Sequence, residues 1–214
     1  MVQKKHYLLL ALMAIIAFIP LSVGAQSAKS VLDKVSAKLS SCGGIEATFN
    51  ATAFKGSRAA GTTSGTICVQ KGKFKVSSAG LSTWFDGHTQ WSLRKGSDEV
   101  YVSNPSEAEL QSMNPYTFVN LYKKGYNLQM RSTTYGGAAC HEIRMTARNK
   151  KAGIQEMRIV VDKKTLMPKS IRMKSGGNWT RIRVGKISTG KHWPDSFFKY
   201  NHKKDSGIEI IDLR

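Results

Sequence analysis

The chain has 214 residues, 41% of them hydrophobic, which is enough to bury one core and argues against a disordered protein. Thirty-three Lys and Arg stand against 14 Asp and Glu, and the formal charge of +19 suits an anionic partner such as nucleic acid, anionic lipid or an acidic protein. Three cysteines, Cys42, Cys68 and Cys140, are too few for a disulfide scaffold, and their spacing is not that of a metal site.

Taken in chain order, the first feature is a leader. Lys4 and Lys5 precede an apolar run from Leu8 to Leu21, and Val23-Gly24-Ala25 follows as a small-residue cleavage pattern. The run is shorter than the ~20 residues needed to span a bilayer. The layout predicts a secretory signal peptide over residues 1–25, cleaved to leave one domain over 26–214. No cysteine follows the run before Cys42, so the cysteine lipidated at a bacterial lipoprotein cleavage site is missing. A soluble exported protein is expected, and export removes nucleic acid as a partner. An oxidising compartment would permit one bridge, and three pairings of the cysteines remain open.

Ala28, Val31, Leu32, Val35 and Leu39 follow the three-four spacing of an apolar stripe and predict a helix over 28–41, stopped by Gly43-Gly44. Ile45, Ala47, Phe49, Ala51 and Ala53 then alternate with polar residues as in a strand. Segments 66–70 and 73–77 flank Lys71-Gly72. Asp86-Gly87 between two aromatic-rich runs predicts a two-residue hairpin turn, with Phe85 opposite His88, Trp84 opposite Thr89 and Ser82 opposite Trp91. Trp84, Trp91 and Leu93 share one face of that hairpin. Segment 99–103 is expected to pair back onto it.

Asn104-Pro105 and Asn114-Pro115 each place an N-cap residue before proline, predicting short helices over 105–112 and 115–124. Extended segments resume at Tyr126, with strands expected over 126–132, 139–147, 154–162, 166–174, 178–188, 193–201 and 208–213. Glycine-rich turns separate them, which predicts one antiparallel sheet curled into a barrel or half-barrel. Alternation puts Tyr126, Leu128 and Met130 on one face. It does the same for Ile143 with Met145, for Met157 with Ile159 and Val161, and for Met167 with Ile171 and Met173. Methionine is flexible and polarizable, so this lining fits either a core or a cavity for a flexible ligand such as an acyl chain.

No catalytic constellation emerges. Cys140 and His141 are neighbours on a predicted strand and therefore point to opposite faces. No Gly-x-Ser-x-Gly turn, phosphate-binding glycine loop or paired carboxylate is present. No enzyme activity, metal or cofactor is expected. Asn50-Ala51-Thr52 and Asn178-Trp179-Thr180 match the glycosylation pattern, which is frequent by chance.

The leader, the N-terminal amphipathic helix, Phe85-Asp86-Gly87-His88-Thr89-Gln90-Trp91, Met113-Asn114-Pro115-Tyr116 and the ending Glu209-Ile210-Ile211-Asp212-Leu213-Arg214 occur in this order. The set resembles the periplasmic outer-membrane lipoprotein carrier family, called LolA-like. The resemblance implies a mainly β, single-domain, unclosed antiparallel barrel covered by the N-terminal helix and two short inserted helices. It implies a monomer in the periplasm of a Gram-negative bacterium. Such a carrier takes acylated lipoproteins from an inner-membrane ATP-driven release complex and passes them to an outer-membrane acceptor; the alternative with the same fold is a periplasmic binding protein for free lipids or another hydrophobic ligand. Phe74, Trp84 and Trp91 match cavity positions of the family, while Phe118, Leu121 and Tyr122 fall in its lid. Phe49, Leu93, Met145, Met157, Ile159 and Met173 complete the expected apolar lining. An arginine before the aromatic at Phe74 often ties the family's lid to its sheet. Here the residues are Gln70, Lys71 and Lys73, and lysine is a poor substitute where planar bidentate geometry matters.

Overall fold

A computed structural model describes residues 27–107, 109–110, 121–123, 125–202 and 207–214. The first element is helix α1, Ala28–Ser41. Ser27 caps it: its Oγ accepts from the Ser30 amide at 3.1 Å, satisfying one donor of the first turn. The predicted stripe is the buried one, and Gly43, at φ +70°, supplies the left-handed residue that ends the helix.

Among the described residues twelve strands follow: β1 (Gly44–Lys55), β2 (Arg58–Gln70), β3 (Lys73–Ser78), β4 (Leu81–Phe85), β5 (Gln90–Arg94), β6 (Glu99–Ser103), β7 (Tyr126–Tyr135), β8 (Ala138–Ala147), β9 (Glu156–Asp162), β10 (Pro168–Ser175), β11 (Asn178–Lys191) and β12 (Glu209–Asp212). They form one sheet in the order β12-β6-β5-β4-β3-β2-β1-β11-β10-β9-β8-β7. The sheet is two meanders, β2–β6 and β7–β11, joined by β1. The chain is therefore mainly β, one curled and unclosed sheet with a helix laid on it.

Three expectations are corrected. The sheet is not wholly antiparallel, because β12 runs parallel to β6. The strand expected over 193–201 is instead a 3-10 turn, Asp195–Phe198. Pro194 has no amide hydrogen, and the Gln70 side chain occupies both polar groups of Trp193, accepting from its N–H at 3.0 Å and donating to its carbonyl at 2.9 Å. The tryptophan hairpin closes through four residues rather than two. The Asp86 carboxylate accepts from the amides of His88 and Thr89 at 3.0 and 2.9 Å, so Phe85 lies opposite Gln90 and Trp84 opposite Trp91. The slip is two residues, so the shared face of Trp84, Trp91 and Leu93 survives it.

Most of the two predicted inserted helices lies outside the described residues. Residues 107, 109, 110 and 121 are helical. The first of these segments is capped by Ser106 rather than Asn104. The Ser106 amide donates to the Glu109 carboxylate at 2.8 Å, and the Glu109 amide donates back to Ser106 Oγ at 3.4 Å.

Candidate functional site

The register decides which side chains meet. On the inner face, under α1, Leu128, Met145, Met157 and Met173 lie directly opposite one another across β7–β10. One step along, Met130, Ile143, Ile159, Ile171, Ile182 and Ala51 form a second row running to β1. Adjacent strands are about 4.8 Å apart, so each row is a continuous apolar stripe. Helix α1 lays Val31, Leu32 and Val35 over both, and the whole set forms one cluster. Met145, Met157 and Ile159 are fully buried, and Met173 is buried.

Leu121 and Tyr122 are buried in the same cluster. Tyr122 is tethered to α1: its hydroxyl donates to the Asp33 carboxylate at 2.6 Å. Burial, reinforced by this carboxylate, pushes the Tyr122 phenol up to about 12. Asp33 is in turn held below its ordinary range by hydrogen bonds from Lys29 and Tyr122. The contact ties the stretch before β7 to the helix that covers the sheet.

Phe49 sits on this inner face, opposite Val184 on one side and Gly65 on the other. A Cβ at Gly65 would strike the Ser77 carbonyl and lie 2.8 Å from the Phe49 ring, so glycine is what lets that ring lie across β2. Phe74 is also on the inner face by register, but it packs apart from the cluster, stacked on Phe85 with ring centroids 5.1 Å apart. Trp84, Trp91 and Leu93 face the other way. Trp84 pairs with Lys75, whose neighbour Phe74 is on the inner side. It meets Tyr200 edge-on at 5.6 Å, under the segment that follows the 3-10 turn. The two tryptophans are thus separated from the methionine rows by the sheet itself. Phe118 lies outside the described residues.

Of Gln70, Lys71 and Lys73, at the family's latch position, Gln70 and Lys73 serve the segment after β11 instead. Gln70 holds Trp193, and Lys73 pairs with Asp195 at 2.6 Å. Lys71 occupies the left-handed turn between β2 and β3. The tether to α1 comes from Tyr122. Sequence reasoning had the helix stripe and Tyr122 but not their contact, since Asp33 lies 89 positions away.

All three cysteines are free thiols, Cys68 and Cys140 buried. Burial pushes both thiols up, away from the reactive thiolate. The register sends Cys140 and His141 to opposite faces, as alternation requires. What the inner face offers chemically is apolar contact.

The family described as outer membrane lipoprotein carrier protein LolA matches residues 20–177. No curated protein matches. Among solved structures, a conserved protein from Thermus thermophilus aligns with a TM-score of 0.58 at 11% identity, covering 86% of this chain and 98% of that one. A LolA superfamily protein from Nitrosomonas europaea aligns at 0.45 and 11% identity, covering 82% and 99%. LprF from Mycobacterium bovis aligns at 0.45 and 9% identity, covering 78% and 94%. At such identities the likeness to the Thermus structure speaks to the fold alone. The family match spans most of the sequence, and by it the chain belongs to the family of the outer membrane lipoprotein carrier protein LolA.

Proposed function

We propose that residues 26–214 are a soluble, monomeric periplasmic carrier, freed from the signal peptide 1–25, that shelters the acyl chains of lipoproteins between α1 and the inner face of the sheet. In this reading it receives them from an inner-membrane ATP-driven release complex and delivers them to an outer-membrane acceptor. One observation carries the reading: the apolar rows of the inner face are covered by one amphipathic helix and the Leu121–Tyr122 stretch. An acyl chain exposed to water forfeits about 0.8 kcal/mol per methylene, so a carrier must offer an equivalent apolar surface. Moving α1 aside offers it, and the methionines at Met145, Met157 and Met173 adapt to a flexible guest. The role is binding and transfer rather than catalysis.

A second reading keeps the fold but takes free lipid as cargo. It is favoured by the use of Gln70 and Lys73 to hold the segment after β11, where the family often has its latch arginine. Native mass spectrometry of the mature protein, purified gently from its own compartment, separates the two. A bound mass equal to a triacylated lipoprotein supports the carrier, whereas free lipid alone moves the cargo to the second reading. If the protein is empty, titration with a dansylated fatty acid decides: saturable binding supports an inner-face site, and its absence removes both readings.

A further inference from the structure

The face opposite α1 carries a feature the cargo reading does not use. Arg144, Arg158, Arg172 and Arg181 lie directly opposite one another on β8, β9, β10 and β11. Like charges in that relation repel, at strand spacings of about 4.8 Å. Among the described residues one carboxylate, that of Glu156, serves the row. Glu156 accepts from Arg144 in a bidentate pair at 2.9 Å and from Arg158 Nε at 2.7 Å.

Arg172 and Arg181 have no acidic partner among the described residues. Arg172 is stacked on Trp179 at 5.0 Å and Arg181 on Phe54 at 5.2 Å, and the buried Nε of each makes no hydrogen bond there. Aromatic faces fix the guanidinium groups but leave N–H donors unused. At one end of the row, Arg144 and Arg158 also line a depression of about 400 Å³ with Gln129, Met130, Arg131 and Glu142.

We propose that this outer face docks the protein on an anionic phospholipid bilayer, the arginine row binding headgroup phosphates. Planar guanidinium groups match phosphate oxygens bidentately. The row is distributed along a sheet surface rather than gathered in a cleft, as contact with a surface requires. Trp179 lies on the same face beside it, paired with Phe54, and tryptophan favours the headgroup level of a membrane. Bound phosphates would supply the counter-charge that the row lacks among the described residues. The contact uses the opposite side of the sheet from the acyl site, so the two readings fail separately.

The test is co-sedimentation of residues 26–214 with phosphatidylglycerol–phosphatidylcholine vesicles and with phosphatidylcholine vesicles. Binding is expected to the anionic vesicles only, and to vanish in about 1 M salt, where the screening length is about 3 Å. The double variant Arg172→Gln/Arg181→Gln should bind about thirtyfold more weakly, while Lys95→Gln/Lys151→Gln, which removes the same charge elsewhere, should bind within about twofold of the parent, well short of that loss. Dansylated fatty acid binding should be the same in all three proteins. Circular dichroism reports folding, and should the double variant unfold, the exposed Arg183→Gln gives the same comparison with a smaller loss. Equal binding to neutral vesicles, equal loss in both double variants, or no vesicle binding would overturn the proposal. So would binding to soluble polyglutamate without binding to vesicles, which would assign the face to an acidic protein.

Discussion

Tyr122 carries two kinds of information in one side chain. Its ring belongs to the apolar cluster and its hydroxyl reaches Asp33 on α1. Its phenol ionises near 12 in the folded protein against about 10 when unfolded. A raised pKa stabilises the fold fully below about pH 10, and that contribution is lost as the pH climbs toward 12. Stability measured by urea denaturation should therefore fall over this window, and fall less in Tyr122→Phe. Tyr126, also pushed up by burial, remains in both proteins and cancels from the comparison. An identical pH dependence in the variant would remove the tether. Tyr122 was readable in the sequence as part of an apolar helix face, and the family resemblance placed it in the lid. Its partner was not, since no local rule links positions so far apart. The same limit applied to the tryptophans: alternation correctly grouped Trp84, Trp91 and Leu93, but only the sheet's full register shows that they turn away from Met145 and Met157.

Helix α1 was legible to the residue because everything that defines it is local: the stripe, the Ser27 cap and the glycine stop. Ser27→Ala should cost about 1 kcal/mol, read as a shift in the urea midpoint with the slope unchanged. If α1 must lift to admit an acyl chain, the same variant should bind dansylated fatty acid more tightly, because the covering helix competes less well. Weaker binding would argue that α1 belongs to the site as a fixed wall. The strands were legible wherever glycine turns bounded an alternating run. The expected strand over 193–201 failed because its backbone groups are taken by a side chain, that of Gln70, far back in the chain. The arginine row was hidden for a related reason: Arg144, Arg158, Arg172 and Arg181 become neighbours only once four strands are aligned. Trp179 stood out only as part of a glycosylation pattern, although in the structure it supports Arg158 and Arg172.

At the scale of the molecule, the positive charge is a destabilising field as well as an attractant. A chain with a formal charge of +19 repels itself when compact, and screening relieves this. The melting temperature of residues 26–214 should rise by a few degrees between low salt and about 0.5 M sodium chloride. A flat or falling curve would mean that local pairs such as Glu156 with Arg144 and Arg158 already balance the field.

The central place of β1 has a consequence for how the molecule comes into being. β1 is made early, yet it is hydrogen-bonded to β11, whose residues begin at Asn178. A chain that emerges from its N-terminus can fold β2–β6, and then β7–β11, as separate hairpin ladders. The seam between them closes only after residue 191 has emerged. Pairings this distant are slow to find, so assembly should wait on that late step. Until then the methionine rows have no complete roof, and the newborn protein shows water the same greasy surface that, in the proposed carrier, would hide another molecule's.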